Sequence, residues 1–131
     1  MIAYVESSAL TKLALDEPEG PDLRSALRSS QVQVTSELTL LEMSRAVRRN
    51  TGDAGVAKAR AAFLRFETVP IDRGILDRAA ALEPVALRSL DAIHVATALA
   101  INSSDLVFFS YDQRTLAAAA LHGLTVESPG A

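Results

Sequence analysis

The alternation of short strand-like runs with helix-length segments constrains this chain more than any other feature of its sequence. Residues 2–5, 31–34, 67–71, 105–109 and 124–126 read as strands, the fourth being the most strand-like because it holds Leu106-Val107-Phe108-Phe109. Helical spacing marks residues 9–13 behind Ser7 or Ser8 as N-cap. It continues in 22–30, in 37–50 started by Thr35 or Ser36, in 53–66, in 73–82 capped by Asp72, in 89–102 and in 113–121. Strands separated by helices are joined by crossovers rather than hairpins. The expected architecture is therefore a three-layer α/β sandwich, with a central parallel sheet of four to five strands and helices on both faces. No repeat, low-complexity run or linker interrupts the pattern, so residues 1–131 are read as a single domain.

Charge and cysteine content narrow the chemistry. The net charge is −3, against a protein that grips nucleic acid by bulk positive charge. A local site is still allowed, because nearly all the basic residues are arginines, whose planar fork suits phosphate, and Arg45, Arg48 and Arg49 share one segment. With no cysteine, disulfides, thiolate metal sites and cysteine nucleophiles are excluded, and any metal must be held by oxygen or imidazole. No apolar run approaches the roughly 20 residues of a membrane span, and the N-terminus lacks a basic leader. A soluble, cytoplasmic protein is expected.

Four acids stand apart from the rest. Asp91 lies in the first turn of the segment Ser89-Leu90-Asp91-Ala92-Ile93-His94, with Ser89 as its N-cap and Leu90, Ile93, Ala96 and Ala100 expected to face the core. Alone, it would simply complement the helix dipole, worth about 0.3–1 kcal/mol. Glu6 and Asp112 directly follow strands, at the carboxyl edge where open α/β sheets bind ligands. Glu42 borders an apolar face made by Leu38, Leu41 and Val47, whereas Glu37 sits where a dipole role suffices. A pairing of Glu42 with Arg45 is the plain structural alternative. Four such carboxylates converging on one edge, without compensating lysines, call for a hard divalent cation, Mg²⁺ or Mn²⁺.

These motifs, in this order and spacing, resemble the PIN-domain ribonucleases, most closely the VapC-type toxins of bacterial toxin–antitoxin pairs. The opening Ile2-Ala3-Tyr4-Val5-Glu6-Ser7-Ser8 is similar to the family's first strand and acidic turn. Leu41-Glu42-Met43 matches its second acid, Leu90-Asp91-Ala92-Ile93-His94 its third and Ser110-Tyr111-Asp112 its fourth. The resemblance implies a PIN-like fold and a Mg²⁺- or Mn²⁺-dependent endoribonuclease with Glu6, Glu42, Asp91 and Asp112 as catalytic and metal-binding residues. It further implies inhibition of translation, a homodimer and a small VapB-like antitoxin partner. Ser8, Ser110, Arg45 and His94 are secondary candidates, for orienting ligands or contacting RNA, although a histidine packed inside its helix is the plainer reading of His94. The antitoxin is expected to place a basic side chain beside the acids and a helix in an apolar groove, for which the Leu10–Leu13 and Leu38–Leu41 faces are candidate walls, the alternative being that both faces belong to the core.

One residue departs from the family pattern. Position 6 is glutamate where aspartate is usual, which moves the carboxylate outward by about 1.5 Å in a site where Mg–oxygen distances are near 2.1 Å. The alternative reading is therefore a catalytically impaired PIN-like module that binds RNA or protein. If the added methylene misplaces the carboxylate, Glu6→Asp should raise cleavage. Two other parallel-sheet chemistries fit less well. A phospho-acceptor receiver would need a late lysine, and only Lys12 and Lys58 exist. A haloacid-dehalogenase-like phosphatase would need two aspartates two apart after the first strand.

Overall fold

The computed structural model describes residues 1–131. Five strands, β1 (Ile2–Val5), β2 (Val32–Ser36), β3 (Glu67–Val69), β4 (Leu106–Phe109) and β5 (Thr125–Glu127), form one sheet in the order β3-β2-β1-β4-β5. Every neighbouring pair is parallel. The helices are α1 (Ser7–Ala14), α2 (Gly20–Leu27), α3 (Leu38–Thr51), α4 (Asp53–Phe63), α5 (Arg73–Ala80), α6 (Ser89–Ile101) and α7 (Gln113–Leu121). The expected three-layer α/β sandwich is present, with its full complement of five strands.

Strand parity builds two cores. Ala3, Val5 and Phe109 point to one face and pack with Ala9 and Leu10 of α1, Leu23 and Leu27 of α2, Met43 and Val47 of α3, and Ala59 and Phe63 of α4. The alternate residues Tyr4, Leu106 and Phe108 pack on the other face with Val95 and Ala98 of α6 and Leu116, Ala118 and Ala119 of α7. Both faces of the sheet are covered, so the central strands are continuously apolar rather than alternating.

Several element boundaries differ from expectation for identifiable reasons. Thr35 and Ser36 end β2 instead of opening α3. The Thr35 hydroxyl donates to the Val5 carbonyl at 2.6 Å and lies 2.7 Å from that of Thr39, so this β-branched residue is satisfied inside the sheet. Ser36 still serves the helix start, its Oγ accepting from the Leu38 amide at 3.0 Å. Arg88, not Ser89, occupies the N-cap of α6, and Glu6, not Ser7 or Ser8, caps α1. Leu90 is 47% exposed and Ala100 is exposed as well, contrary to their expected place in the core. The reason is that α6 is apolar on nearly every side, so spacing gives its orientation little phase, and the buried set is Ala92 and residues 94–98.

In α3 the inward face is Leu38, Thr39, Met43 and Val47, which leaves Leu41 58% exposed. Of the two readings of these faces, the core one holds for Leu10 and Leu38, which are buried inside the protein and cannot wall an antitoxin groove. Gly52 joins α3 to α4 at φ 69°, a left-handed backbone that suits glycine. No helix is long and apolar enough to cross a membrane.

Candidate active site

From β1 the chain moves outward through β2 to β3, then crosses back to β4 on the other side of β1. The carboxyl ends of β1 and β4 therefore flank a topological switch point, where the helices following adjacent strands diverge and leave a crevice. Val5 pairs in register with Phe109, and Glu6 and Ser110 are the next residues of each strand. The Glu6 amide extends the ladder by donating to the Phe109 carbonyl at 3.0 Å. Two of the sequence candidates are thus brought side by side by the sheet itself.

Glu6 is only 4% exposed. Its Oε2 accepts from the Ser8 amide at 3.1 Å, the Ser8 hydroxyl at 2.5 Å and the Ser110 hydroxyl at 2.7 Å. The first of these is an N-cap bond, a role ordinarily taken by shorter side chains. The longer glutamate reaches Ser8 and Ser110 together, which gives its added methylene a structural use. Its Oε1 accepts nothing from the protein. Ser8 and Ser110 are accordingly ligands of an acid, and the Ser8 hydroxyl also accepts from the Tyr111 amide at 2.9 Å.

Glu42 reaches the same crevice from α3. Its Oε1 accepts from Ser7 Oγ at 2.5 Å and lies 2.6 Å from Nε2 of His94 on α6, while its Oε2 accepts nothing from the protein. Burial alone would raise the Glu42 carboxyl, but the hydrogen bonds from His94 and Ser7 hold it below the usual range. No pairing with Arg45 forms: Arg45 is exposed, and the ion-pair partner of Glu42 is His94. His94 is fully buried, and its Nδ1 lies 2.8 Å from the hydroxyl of Tyr4. Burial first, and the nearby Glu6 charge second, push the Tyr4 phenol well above its ordinary value, so it stays protonated. His94 is both a core residue and a direct neighbour of Glu42.

Asp112 caps α7. Its Oδ1 accepts from the Thr115 amide at 3.0 Å and the Thr115 hydroxyl at 3.2 Å, and its Oδ2 accepts nothing from the protein. Asp91, half-buried in the first turn of α6, has its carboxyl raised above the usual range. Burial is the main cause, followed by the charges of Asp112 and Glu6, partly offset by the Thr115 hydroxyl, with a smaller share from Glu42. Those charges are felt because none of Glu6, Asp91 and Asp112 has a lysine or arginine at ion-pair distance. Ligand atoms of Glu6, Glu42 and His94 lie within 4.8 Å of one another, while Asp91 and Asp112 lie outside that tighter group on its more exposed side.

Three of the four acids therefore share one arrangement: one oxygen is held by hydrogen bonds and the other is left for something else. An oxygen-rich donor set with uncompensated charge fits a hard divalent cation better than a softer metal. Sequence reasoning missed Tyr4, Ser7 and Thr115. A lone phenol inside an otherwise aliphatic strand must find a hydrogen-bond partner, which was the available signal for Tyr4. Thr115, three residues after a capping aspartate, carried a similar one. Nothing local distinguished Ser7 from an ordinary cap.

The PIN domain family model matches residues 3–121. Ribonuclease VapC46 of Mycobacterium tuberculosis is 37% identical over 126 residues, covering 96% of each chain. The crystal structure of Mycobacterium tuberculosis VapC20, described as a toxin that cleaves the sarcin–ricin loop, aligns with a TM-score of 0.77 at 16% identity, over 97% of this chain and 99% of that one. A toxin–antitoxin complex from Klebsiella pneumoniae aligns at 0.73 and 22% identity, covering 97% of both chains. The two structures establish the likeness of fold, and the family match with the near-full-length ribonuclease relative establishes the affiliation: this chain belongs to the PIN-domain family, among the VapC-type ribonucleases.

Proposed function

We propose that the protein is a metal-dependent endoribonuclease, the toxin of a toxin–antitoxin pair, which cleaves RNA at a site formed by Glu6, Glu42, Asp91 and Asp112 and so inhibits translation. The observation that carries this reading is the shared arrangement of Glu6, Glu42 and Asp112, each with one oxygen fixed by the protein and one without a donor, beside an Asp91 that has no cationic partner. Bound there, Mg²⁺ or Mn²⁺ would supply positive charge to a phosphodiester and make a water easier to deprotonate.

The chain's own residues do the rest. Ser8 and Ser110 fix the Glu6 carboxylate, Ser7 and His94 fix that of Glu42, and Thr115 fixes that of Asp112, so the acids need no reorganisation when substrate arrives. Asp91 and Asp112 form the accessible side, through which a phosphate would enter. Arg45, exposed one turn beyond Glu42 on α3, is the proposed contact for an adjacent phosphate of the RNA.

A structured RNA incubated with the protein and millimolar Mn²⁺ tests the reading. Cleavage that is lost with EDTA and with Asp91→Asn supports it. Intact RNA that is nonetheless bound would favour the alternative of a PIN-like binding module disabled at Glu6. A toxin requires an antitoxin and works where RNA is translated, in the cytoplasm. The proposed antitoxin is a small VapB-like protein that sets a basic side chain beside the acids, and the toxin is proposed to be a homodimer. Co-purification with the product of an adjacent small reading frame, lost when that partner's basic tail is removed, checks the first. Light scattering of the free chain checks the second.

A further inference from the structure

We infer that Tyr4, His94 and Ser7 form a buried clamp that sets the orientation of the Glu42 carboxylate, and that His94 is a positioning residue and not a ligand of the cation. This rests on the metal-dependent reading of the site. His94 Nε2 lies 2.6 Å from Glu42 Oε1, a hydrogen-bond distance. Two adjacent donors of one octahedral ion, each at about 2.1 Å from it, stand about 3 Å apart. The two atoms are thus closer than co-ligands of a single ion would be.

The order of protons follows from the groups present. A carboxylate offers only acceptors, so the hydrogen between it and His94 belongs to Nε2. Ser7 Oγ, 2.9 Å from the same nitrogen, donates its own proton to Glu42 Oε1. Nδ1 is then free to accept the single proton of the Tyr4 hydroxyl, 2.8 Å away. Each member of the chain is satisfied, and Oε1 of Glu42 carries two donors while Oε2 is kept clear.

Packing fixes the clamp. Tyr4 and His94 are both fully buried, and the Tyr4 ring stacks on Phe108 with centroids 5.2 Å apart and planes 10° apart. It meets the His94 ring edge-on at 6.1 Å and 69°. Tyr4 also stands on β1 two residues before Glu6. The strand that carries the first glutamate therefore anchors the second, through a bridge from α6 on one face of the sheet to α3 on the other.

Calorimetric titration with Mn²⁺ alone, on the wild type, Tyr4→Phe, His94→Gln and His94→Leu, tests the clamp. Tyr4→Phe keeps the ring and loses the hydroxyl, and His94→Gln keeps an N–H for Glu42. The expected result is Mn²⁺ affinity weakened roughly 10–100-fold in His94→Leu, partly restored in His94→Gln and reduced several-fold in Tyr4→Phe, as for other groups that orient a metal's ligands. The ¹⁵N spectrum of His94 should show Nε2 keeping its proton when Mg²⁺ saturates the protein. Unchanged Mn²⁺ affinity in Tyr4→Phe and His94→Gln, or loss of the Nε2 proton on Mg²⁺ binding, overturns the clamp; this holds even if His94→Leu does not fold. A wild type that binds Mn²⁺ with this dependence yet cleaves no RNA sinks the nuclease reading alone. One that cleaves RNA while the variants keep full Mn²⁺ affinity sinks the clamp alone.

Discussion

The two glutamates and the two aspartates of the crevice are held in different ways. Glu6 and Glu42 are tied into networks of serine hydroxyls and a histidine, with five donors between them. Asp112 is exposed and held only through Thr115, and Asp91 is half-exposed with its carboxyl raised. On the glutamate side, negative charge has been stabilised by the protein. On the aspartate side the repulsion is left standing, which is where a cation gains most. The contrast separates two tasks that a carboxylate site must perform: fixing geometry, and keeping enough unrelieved charge to attract an ion.

Removing charge on the open side should do the most damage to activity and the least to the fold. Asp91→Asn and Asp112→Asn are each expected to lower Mn²⁺-dependent cleavage at least about a hundredfold, as a displaced reactive geometry does. Initial rates on a fixed RNA substrate provide the check, and near-normal activity in either variant would remove that aspartate from the site.

On the wired side, length rather than charge is the sensitive variable. Glu6→Asp withdraws the carboxylate from Ser110, so cleavage should stay equal or fall, by about tenfold to a hundredfold for a shift near 1 Å. Faster cleavage by the aspartate variant would mean that the serine network holds Glu6 in an unproductive place.

Metal binding should then stabilise the protein visibly. A ligand present at a hundred times its dissociation constant adds about 2.7 kcal/mol to the folded state, a rise in Tm on the order of 10 °C for a domain of this size. Asp91→Asn should melt higher than the wild type without metal, because the repulsion is gone, and should gain less from Mn²⁺. Thermal melts with and without Mn²⁺ decide this, and an unchanged gain would place Asp91 outside the metal's reach.

Acid should affect the two sides with opposite sign. With its pKa raised, Asp91 is protonated more readily in the folded chain than in the unfolded one. It therefore costs stability as pH rises from the ordinary carboxylate value through the raised one, and that cost persists at neutral pH. Glu42, held below its ordinary value, contributes stability that is complete above that value and is lost as pH falls through the lowered one. Metal-free denaturation of Asp91→Asn and Glu42→Gln at a series of pH values should show the first gaining on the wild type as pH rises and the second losing. Smallest of all, Arg45→Gln should weaken RNA binding uniformly and reduce its salt slope by about one, without altering the metal response of either side.

Sequence alone made the open side more legible than the wired one. Asp91 and Asp112 announce themselves because a charge at the start of a helix, or just past a strand, is visible from local spacing. The networks were not legible, because they join residues with no periodic relation: Ser7 to Glu42, Tyr4 to His94, and Glu6 to Ser110. Leu90 and Leu41 were misplaced for the converse reason. Their helices hold apolar residues on several sides, or bury a threonine, so periodicity could not fix which side faces the sheet.

The pairing of β1 with β4 joins Ile2 to Leu106, so the two walls of the crevice are synthesised far apart in time. Contacts of such sequence separation form slowly, and domains generally fold only once their distant parts have been made. No fragment ending before Asp112 can possess the full set of acids, whatever its helices do. For a protein proposed to attack RNA, that ordering delays activity past the point at which its own ribosome has made most of the chain, and gives an antitoxin that interval in which to meet it.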